Sequence, residues 1–393
     1  IAASGPASIL SYSFICFFIG TGTYLNTIIA QYSGAKKRFY ITKALWQGIY
    51  FGLLSSAAIV MLIPAGNMFI AHSEHGKQVI ILEKSYFSLL MYGGGLAVMG
   101  SVFSSFFSGR GRTRPVMIIT LISTTINILL DYILIFGKFG FPALGIVGAG
   151  IATLLSHSIA LILFASLIFQ KNYRNRFRIH RLWQFDKKIF MKLIKFGIPE
   201  GFHYFIDIAG FSVFIFFIGS YGSIELAASN IAIFVDMMAF MPMVGIGIST
   251  SILVGQYIGK NKKDVSIVIT NNSMKITAMY GTCIGLLFWF FPEFFVNFFK
   301  GNDVETFSLI TLSTIPIFHI LPFFLMADSL HIIFGSALSG AGDTKFKMVA
   351  AALLVFLLFI PGEYFILKSW KLPVSYGWWW GTLYLLVIGV TYL

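Results

Sequence analysis

Long apolar runs alternate with short polar segments along the whole chain. The runs occupy residues 7–30, 44–70, 84–107, 115–137, 144–169, 193–219, 223–257, 272–298, 306–338, 346–367 and 376–393. A helix needs about 20 apolar residues to cross the hydrocarbon core of a bilayer. The runs are continuous, so they do not read as the ~10-residue alternating strands of a membrane β-barrel. The pattern predicts eleven spanning helices in an all-α polytopic membrane protein. The stretch from Ile9 to Ile29 lacks the basic flank and small-residue cleavage site of a signal peptide, and it too reads as a membrane helix.

Composition supports this reading. The 393 residues are 57% hydrophobic and 11% charged, where a soluble domain is about a quarter charged. Mean hydropathy is +0.84. The net charge of +13 raises the question of a nucleic-acid partner, and the placement of the charges argues against one. Every Lys and Arg falls between apolar runs or at their edges. Every second segment is basic, with 22 basic residues on one side and 6 on the other. By the positive-inside rule the richer side is cytoplasmic, so the chain begins outside and its C-terminus is cytoplasmic. Cys16 and Cys283 lie inside apolar runs and give neither a disulfide framework nor a metal spacing.

The chain repeats itself. GTGTYLNTIIAQYSG from Gly20 matches GIGISTSILVGQYIG from Gly245 at an offset of 225, through Gly22/Gly247, Gln31/Gln256, Tyr32/Tyr257 and Gly34/Gly259. SGRGRTRPVM from Ser108 matches SGAGDTKFKM from Ser339 at an offset of 231, and Pro64 and Pro292 occupy similar places between them. One duplication accounts for all of these. It divides the chain into an N-terminal lobe (1–170), a basic cytoplasmic linker (171–192) and a C-terminal lobe (193–393). Basic segments fall on the same side in both copies, so the lobes are expected to be parallel six-helix bundles. The first copy shows five spans, and a further helix is expected ahead of residue 1. The glycines of both motifs are read as helix-packing and turn residues rather than ligand contacts.

Acids, and no deep Lys or Arg, interrupt the runs. A charge at the bilayer centre costs roughly 3 kcal/mol or more and persists where it faces a cavity or works. Asp207 follows His203 by four residues, and His331 follows Asp328 by three, so each pair shares a helical face. Such pairs can hold or relay a proton, or can simply be satisfied hydrogen-bond pairs. Asp236 is also intramembrane. Asp131 and Glu363 lie toward the outer ends of corresponding helices, where a carboxylate reaches water. A negative interior favours a cationic passenger or a coupling cation. The external loop HSEH (residues 72–75) reads as solvated rather than as a metal site. Trp378, Trp379 and Trp380 fit an interfacial aromatic belt. No nucleophile–base, zinc-protease or phosphate-loop motif occurs, which argues against an enzyme and against ATP drive.

Four stretches carry a family likeness: residues 108–153, KFGIPEGFHYFIDIAGF (195–211), residues 227–259 and SGAGDTKF (339–346). Over nearly its whole length the chain resembles a MATE (multidrug and toxic compound extrusion) transporter of the MOP flippase superfamily. The resemblance implies twelve helices in two lobes, a multi-pass protein of the bacterial inner membrane, and export of amphipathic, mostly cationic small molecules by antiport against H⁺ or Na⁺. It implies no cofactor beyond the coupling ion, no metal, and a monomer in the lipid bilayer. It places the cation-binding carboxylates of the seventh and tenth helices at Asp207 and Asp328, with an acid near Asp236 in some members. His203 and His331 are not expected as family constants. The alternative is a flippase of the same superfamily for lipid-linked oligosaccharides or polyprenyl phosphates. That anionic passenger would call for basic residues facing the cavity.

Overall fold

The computed structural model describes residues 4–73, 75–301 and 303–393. The described residues form helices and connecting turns, with no strand. They divide into two compact units, Ile1–Phe205 and Ile206–Leu393.

In the first unit the helices are α1 (Ser4–Thr23), α2 (Leu25–Gly34), α3 (Arg38–Met61), α4 (Ile63–Ala71), α5 (Lys77–Ser108), α6 (Thr113–Phe136), α7 (Ile146–Phe169), the short α8 (Lys171–Phe177), and the start of α9 (Lys187–Gly219). The second unit takes the remainder of α9. It continues with α10 (Ser223–Gly259), α11 (Lys263–Phe290), α12 (Pro292–Asn297), α13 (Val304–Ala341), α14 (Thr344–Leu354), α15 (Ile360–Glu363) and α16 (Val374–Thr391). Two π-helical segments, Val355–Phe359 and Tyr364–Ser369, flank α15.

Every apolar run has become helix. Nine helical stretches among the described residues are long and apolar enough to cross a membrane. The other two runs lie in α11, which carries the polar stretch TNNSMK, and in α16, which has 18 residues. At 1.5 Å per residue α16 is about 27 Å long, close to the hydrocarbon thickness. Large apolar side chains such as Phe216, Met238 and Leu357 stay exposed, as a lipid-facing surface requires.

Each unit is organised around one helix. In the first, α5 packs against α1, α3 and α7, and it buries Phe87, Met91, Phe106 and Phe107 completely. In the second, α13 packs against α10, α11 and α16 and buries Phe318 and Leu321. These two hub helices end in the doubled serine–glycine motif, so the repeat in sequence is a repeat in topology.

The turns repeat as well. Lys36 (φ +58°) and Asn261 (φ +57°) are left-handed at positions 225 apart. Gly111 (φ +74°) and Gly342 (φ +95°) are left-handed at positions 231 apart, where glycine adopts the conformation without steric cost. Asp343 then caps α14, its carboxylate accepting from the Phe346 amide. The close approaches match too. A Cβ on Gly109 would meet the Asn26 carbonyl at 2.6 Å, and one on Gly340 would meet the Ser251 carbonyl at 2.5 Å. Asn26 and Ser251 are themselves 225 apart. The motif glycines are therefore contact points between helices, as small residues in lipid-embedded packing are.

Prolines mark the breaks. Pro64 and Pro292 open α4 and α12, where the missing N–H is not needed. Pro199, Pro242, Pro316 and Pro322 stand inside α9, α10 and α13. The segment after α8 is held to α3. Thr42 Oγ1 donates to the Phe177 carbonyl at 2.7 Å, and Trp46 Nε1 donates to the Ile179 carbonyl at 2.9 Å. Gln47 Nε2 donates to the Gln184 carbonyl at 3.2 Å, Tyr50 donates to that of Trp183, and Lys43 pairs with Asp186 at 3.0 Å.

Candidate functional site

The interior carboxylates of the second unit gather. Asp328, on α13, is buried at 4% exposure. Its Oδ1 lies 3.5 Å from His331 Nδ1, one turn on. The His331 ring is stacked over Tyr392, the residue that follows α16, with centroids 5.8 Å apart. Tyr392 in turn donates to the Lys347 carbonyl at 3.1 Å, and the Lys347 ammonium donates to Ser339 Oγ at 3.0 Å. Asp207, on α9, lies within electrostatic reach of Asp328 and of Tyr384 on α16. Asp236, on α10, is likewise within reach of Asp328. Three helices, α9, α10 and α13, thus bring three carboxylates and an imidazole to one polar cluster, with Tyr384 of α16 beside it. Among the described residues, Asp236 Oδ1 is buried with no hydrogen-bond partner.

His203 stands one turn before Asp207 on α9 and is 3% exposed. The donor atoms of His203 and Asp207 lie within 4.8 Å of each other, and so do those of Asp207 and His331. Of the five residues picked from the sequence, Asp207, Asp236, Asp328 and His331 gather in the second unit, while His203 lies at the end of the first unit, one turn before Asp207 on α9. The cluster's donor groups are ones that can accept a cation. The carboxylates supply charge, and imidazole can carry a proton near neutral pH. Two imidazoles with a carboxylate are also the donor types a borderline transition metal accepts.

Close helix contacts fix the cluster. A Cβ on Gly389 of α16 would meet Leu330 Cβ at 2.6 Å and the His331 amide nitrogen at 2.9 Å. A Cβ on Gly247 of α10 would meet Ile332 Cγ2 at 2.7 Å and Ser336 Oγ at 2.8 Å. Both glycines bring their helices against the stretch of α13 that carries Asp328 and His331.

Two acids read from the sequence as reaching water do not do so fully. Glu363 is fully buried, with both carboxylate oxygens lacking a partner among the described residues. It lies between two π-helical segments and faces α16, where a Cβ on Gly377 would meet its Oε2 at 2.9 Å. Asp131 keeps one buried oxygen without a partner. In the HSEH loop, His75 Nδ1 lies 2.9 Å from Glu83 Oε1 and His72 Nδ1 lies 2.8 Å from the Met68 carbonyl, while Glu74 lies outside the described residues.

A second polar cavity, of about 350 Å³, went unread in the sequence. It lies among α5, α6 and α7 of the first unit and is lined by Ser123, Asn127, Thr153, Ser156 and His157. Ser123 Oγ donates to the Ser156 carbonyl at 2.8 Å, and Asn127 Nδ2 is buried without a partner among the described residues. The signal was present: Ser123, Asn127 and Asp131 recur every four residues along α6 and form a polar stripe.

The MatE family model matches residues 1–133 and 199–365. The chain is 27% identical to a probable multidrug resistance protein NorM of Thermotoga maritima, over 89% of this chain and 74% of the relative. It is 29% identical to a protein of the same description from Oceanobacillus iheyensis, over 91% and 79%. It is 23% identical to the multidrug resistance protein NorM of Aliivibrio fischeri, over 93% and 80%. Its fold superposes on an outward-facing multidrug resistance MATE family transporter of the MOP superfamily with a TM-score of 0.89 at 19% identity, covering 99% of this chain and 85% of that one. A MOP superfamily transporter from Pyrococcus furiosus, described as having a binding pocket of reversed polarity, superposes with a TM-score of 0.85 at 19% identity, covering 99% and 87%. A family match over most of the sequence and the duplicated hub-helix architecture agree: the chain is a multi-pass membrane transporter and no enzyme, and it belongs to the MatE family.

Proposed function

We propose that the protein exports amphipathic organic cations, drugs among them, by antiport against H⁺ or Na⁺. The observation that carries this reading is the cluster of Asp207, Asp236 and Asp328 on separate helices of one unit, with His331 beside Asp328. A buried group of carboxylates favours occupation by a positive charge, either an ion or a protonated or quaternary ammonium passenger. Binding of one cation lowers the affinity of the cluster for another, which is the reciprocal coupling an antiporter requires. The multidrug names of the NorM relatives point to the same class of passenger. The basic loops are read as cytoplasmic, which places the C-terminus inside. A flippase for anionic lipid-linked saccharides is the weaker reading, because the cluster presents acids and imidazole to a passenger that carries phosphate.

The test is transport in proteoliposomes. A fluorescent lipophilic cation is followed under an imposed pH gradient and then under a sodium gradient. Movement under one gradient alone names the coupling ion. Movement under neither, combined with translocation of an anionic polyprenyl lipid, overturns the proposal.

A further inference from the structure

The first unit carries a cavity of about 740 Å³ at the end where its basic loops meet. Three segments far apart in sequence build it: the turn between α2 and α3, the turn between α5 and α6, and α8. Lys36, Arg38, Arg110, Arg112 and Arg176 line it, and among the described residues no carboxylate does. Among the described residues, none of these five cations forms an ion pair. Asp186, the acid of the nearby connector, is already taken by Lys43.

Five like charges around one hollow repel one another, so the arrangement is stable only where water or an anion screens them. Arg110 is the informative member. Its guanidinium lies 3.9 Å from the Phe106 ring centroid and 4.7 Å from that of Phe177, with Tyr173 at 5.4 Å. Its Nε donates to the Phe106 carbonyl. Aromatic walls and one backbone bond therefore fix the planar fork in advance. Its Nη2 is buried and has no hydrogen-bond partner among the described residues. A buried guanidinium N–H without an acceptor is costly, and a ligand oxygen would supply the acceptor. Burial, together with Arg112 and Arg176 and against the pull of Tyr173, lowers the Arg110 pKa to about 10, so the group is charged at pH 7. Asn172 and Ser33 add neutral polar groups to the lining. The α8 wall is held by the bonds from Thr42 and Trp46 to the backbone at Phe177 and Ile179, so the hollow is preformed.

We propose that this pocket binds a phosphate ester. Arginine forks suit phosphate geometry, and the volume lies in the range of ordinary small-molecule sites, well above what a bare phosphate fills. Two sources can present that chemistry here. The pocket sits at the ends of spanning helices, where the phosphodiester headgroup of an anionic phospholipid is within reach. A soluble organic phosphate would reach it from the aqueous side. Nothing in this inference depends on what the second unit transports.

The experiment measures binding to the purified protein in neutral detergent. Three probes are used: phosphatidylglycerol in mixed micelles, phosphatidylcholine in the same micelles, and inorganic pyrophosphate. Thermal unfolding and intrinsic tryptophan fluorescence report occupancy. Saturable binding of phosphatidylglycerol but not phosphatidylcholine identifies the lipid source. Saturable binding of pyrophosphate alone identifies a soluble source, and competition between the two identifies one shared site. The double variant Arg112→Gln/Arg176→Gln, altered at exposed positions, is expected to weaken the apparent affinity at least tenfold without changing the unfolding temperature of the unliganded protein. Arg110→Lys keeps the charge, loses the fork and is expected to weaken binding several-fold. A control variant, Lys260→Gln/Lys262→Gln, alters a basic turn outside the pocket and is expected to bind as the wild type does. The proposal is overturned if wild type shows no saturable binding of either phosphate probe, or if the control variant loses as much affinity as the pocket variant.

Discussion

Replacing Gly340 by alanine tests the reading of the doubled motif most directly. The added Cβ would lie 2.5 Å from the Ser251 carbonyl oxygen, 3.1 Å from Ser251 Cα and 3.0 Å from Val254 Cβ. Two of these are backbone atoms of α10, which no rotamer change can move. Ordinary contact begins near 3.4 Å, so α10 and α13 must part by up to about 0.9 Å or lose register. Overpacking of this kind costs about 1–3 kcal/mol. Alanine regains at most ~1 kcal/mol of helix propensity, so the net expectation is a loss of roughly 1–2 kcal/mol. Gly109→Ala, 2.6 Å from the Asn26 carbonyl, should behave alike. Gly245 and Gly100 are the controls: both lie within helices, and neither would place its Cβ within 4 Å of another group. Alanine there should be neutral or stabilising by up to about 1 kcal/mol. Unfolding free energies of the four variants in one detergent series decide the matter. If Gly340→Ala and Gly109→Ala prove as stable as the two controls, the glycines are not close contacts and the packing argument fails.

Other expectations follow from the carboxylates. Asp328→Asn and Asp207→Asn should abolish coupled efflux while leaving the helical circular dichroism and elution profile unchanged; full efflux by Asp328→Asn would sink the cation-site assignment. Glu363→Leu should be neutral or stabilising by about 1–3 kcal/mol, because the carboxyl is fully buried without partners among the described residues and a similar-sized apolar group removes its desolvation penalty; a loss of that size in thermal unfolding would mean that the carboxyl is bonded. Burial tends to raise the Asp186 pKa, but the bonds from Lys43 and the Ile189 amide outweigh it, and the pKa lies below the usual carboxylate value. Its stabilisation is therefore present above about pH 4 and is lost as pH falls through the depressed value. The pair is partly exposed, so Asp186→Asn should cost no more than about 1 kcal/mol at pH 7, and the cost should shrink as pH falls through the depressed pKa, read as protection of the 171–186 segment from proteolysis.

Much of the fold was legible because lipid imposes long apolar runs and punishes buried charge. The runs, the basic turns and the paired glycine motifs needed only periodicity and offsets. The acids gathered around Asp328 were legible for the same reason, since Asp207 and Asp236 stand out in apolar surroundings. Other features depend on tertiary context. The break at Tyr24 between α1 and α2 has no proline to announce it. The π-helical turns that flank Glu363 have no mark in the sequence, and the acid read as reaching water is buried against Gly377 of α16. Asn127 sits in a visible stripe, but its cavity is completed by α5 and α7. Arg110 counted only as a charge that set topology. Its aromatic walls, Phe106 and Phe177, are contributed by α5 and α8, and no spacing joins them.

The offset between the halves is 225 at the α2 and α10 glycines, 228 at Pro64 and Pro292, and 231 at the serine–glycine ends of the hub helices. The second copy is therefore six residues longer than the first, all between Gly259 and Ser339, half before Pro292 and half after. None fell in the turns that carry Asn261 and Gly342, whose backbones still mirror those of Lys36 and Gly111. Chain length differs between the turns, in the helices and the hairpin that joins them: α3 and α11 begin 225 residues apart, but α11 has 28 residues where α3 has 24. It has stayed fixed where a single added residue would rotate Gly340 away from the Ser251 carbonyl. Random insertions should reproduce this polarity: tolerated around residues 62–77 and 291–304, and rejected at residues 34–38, 109–113 and 341–344.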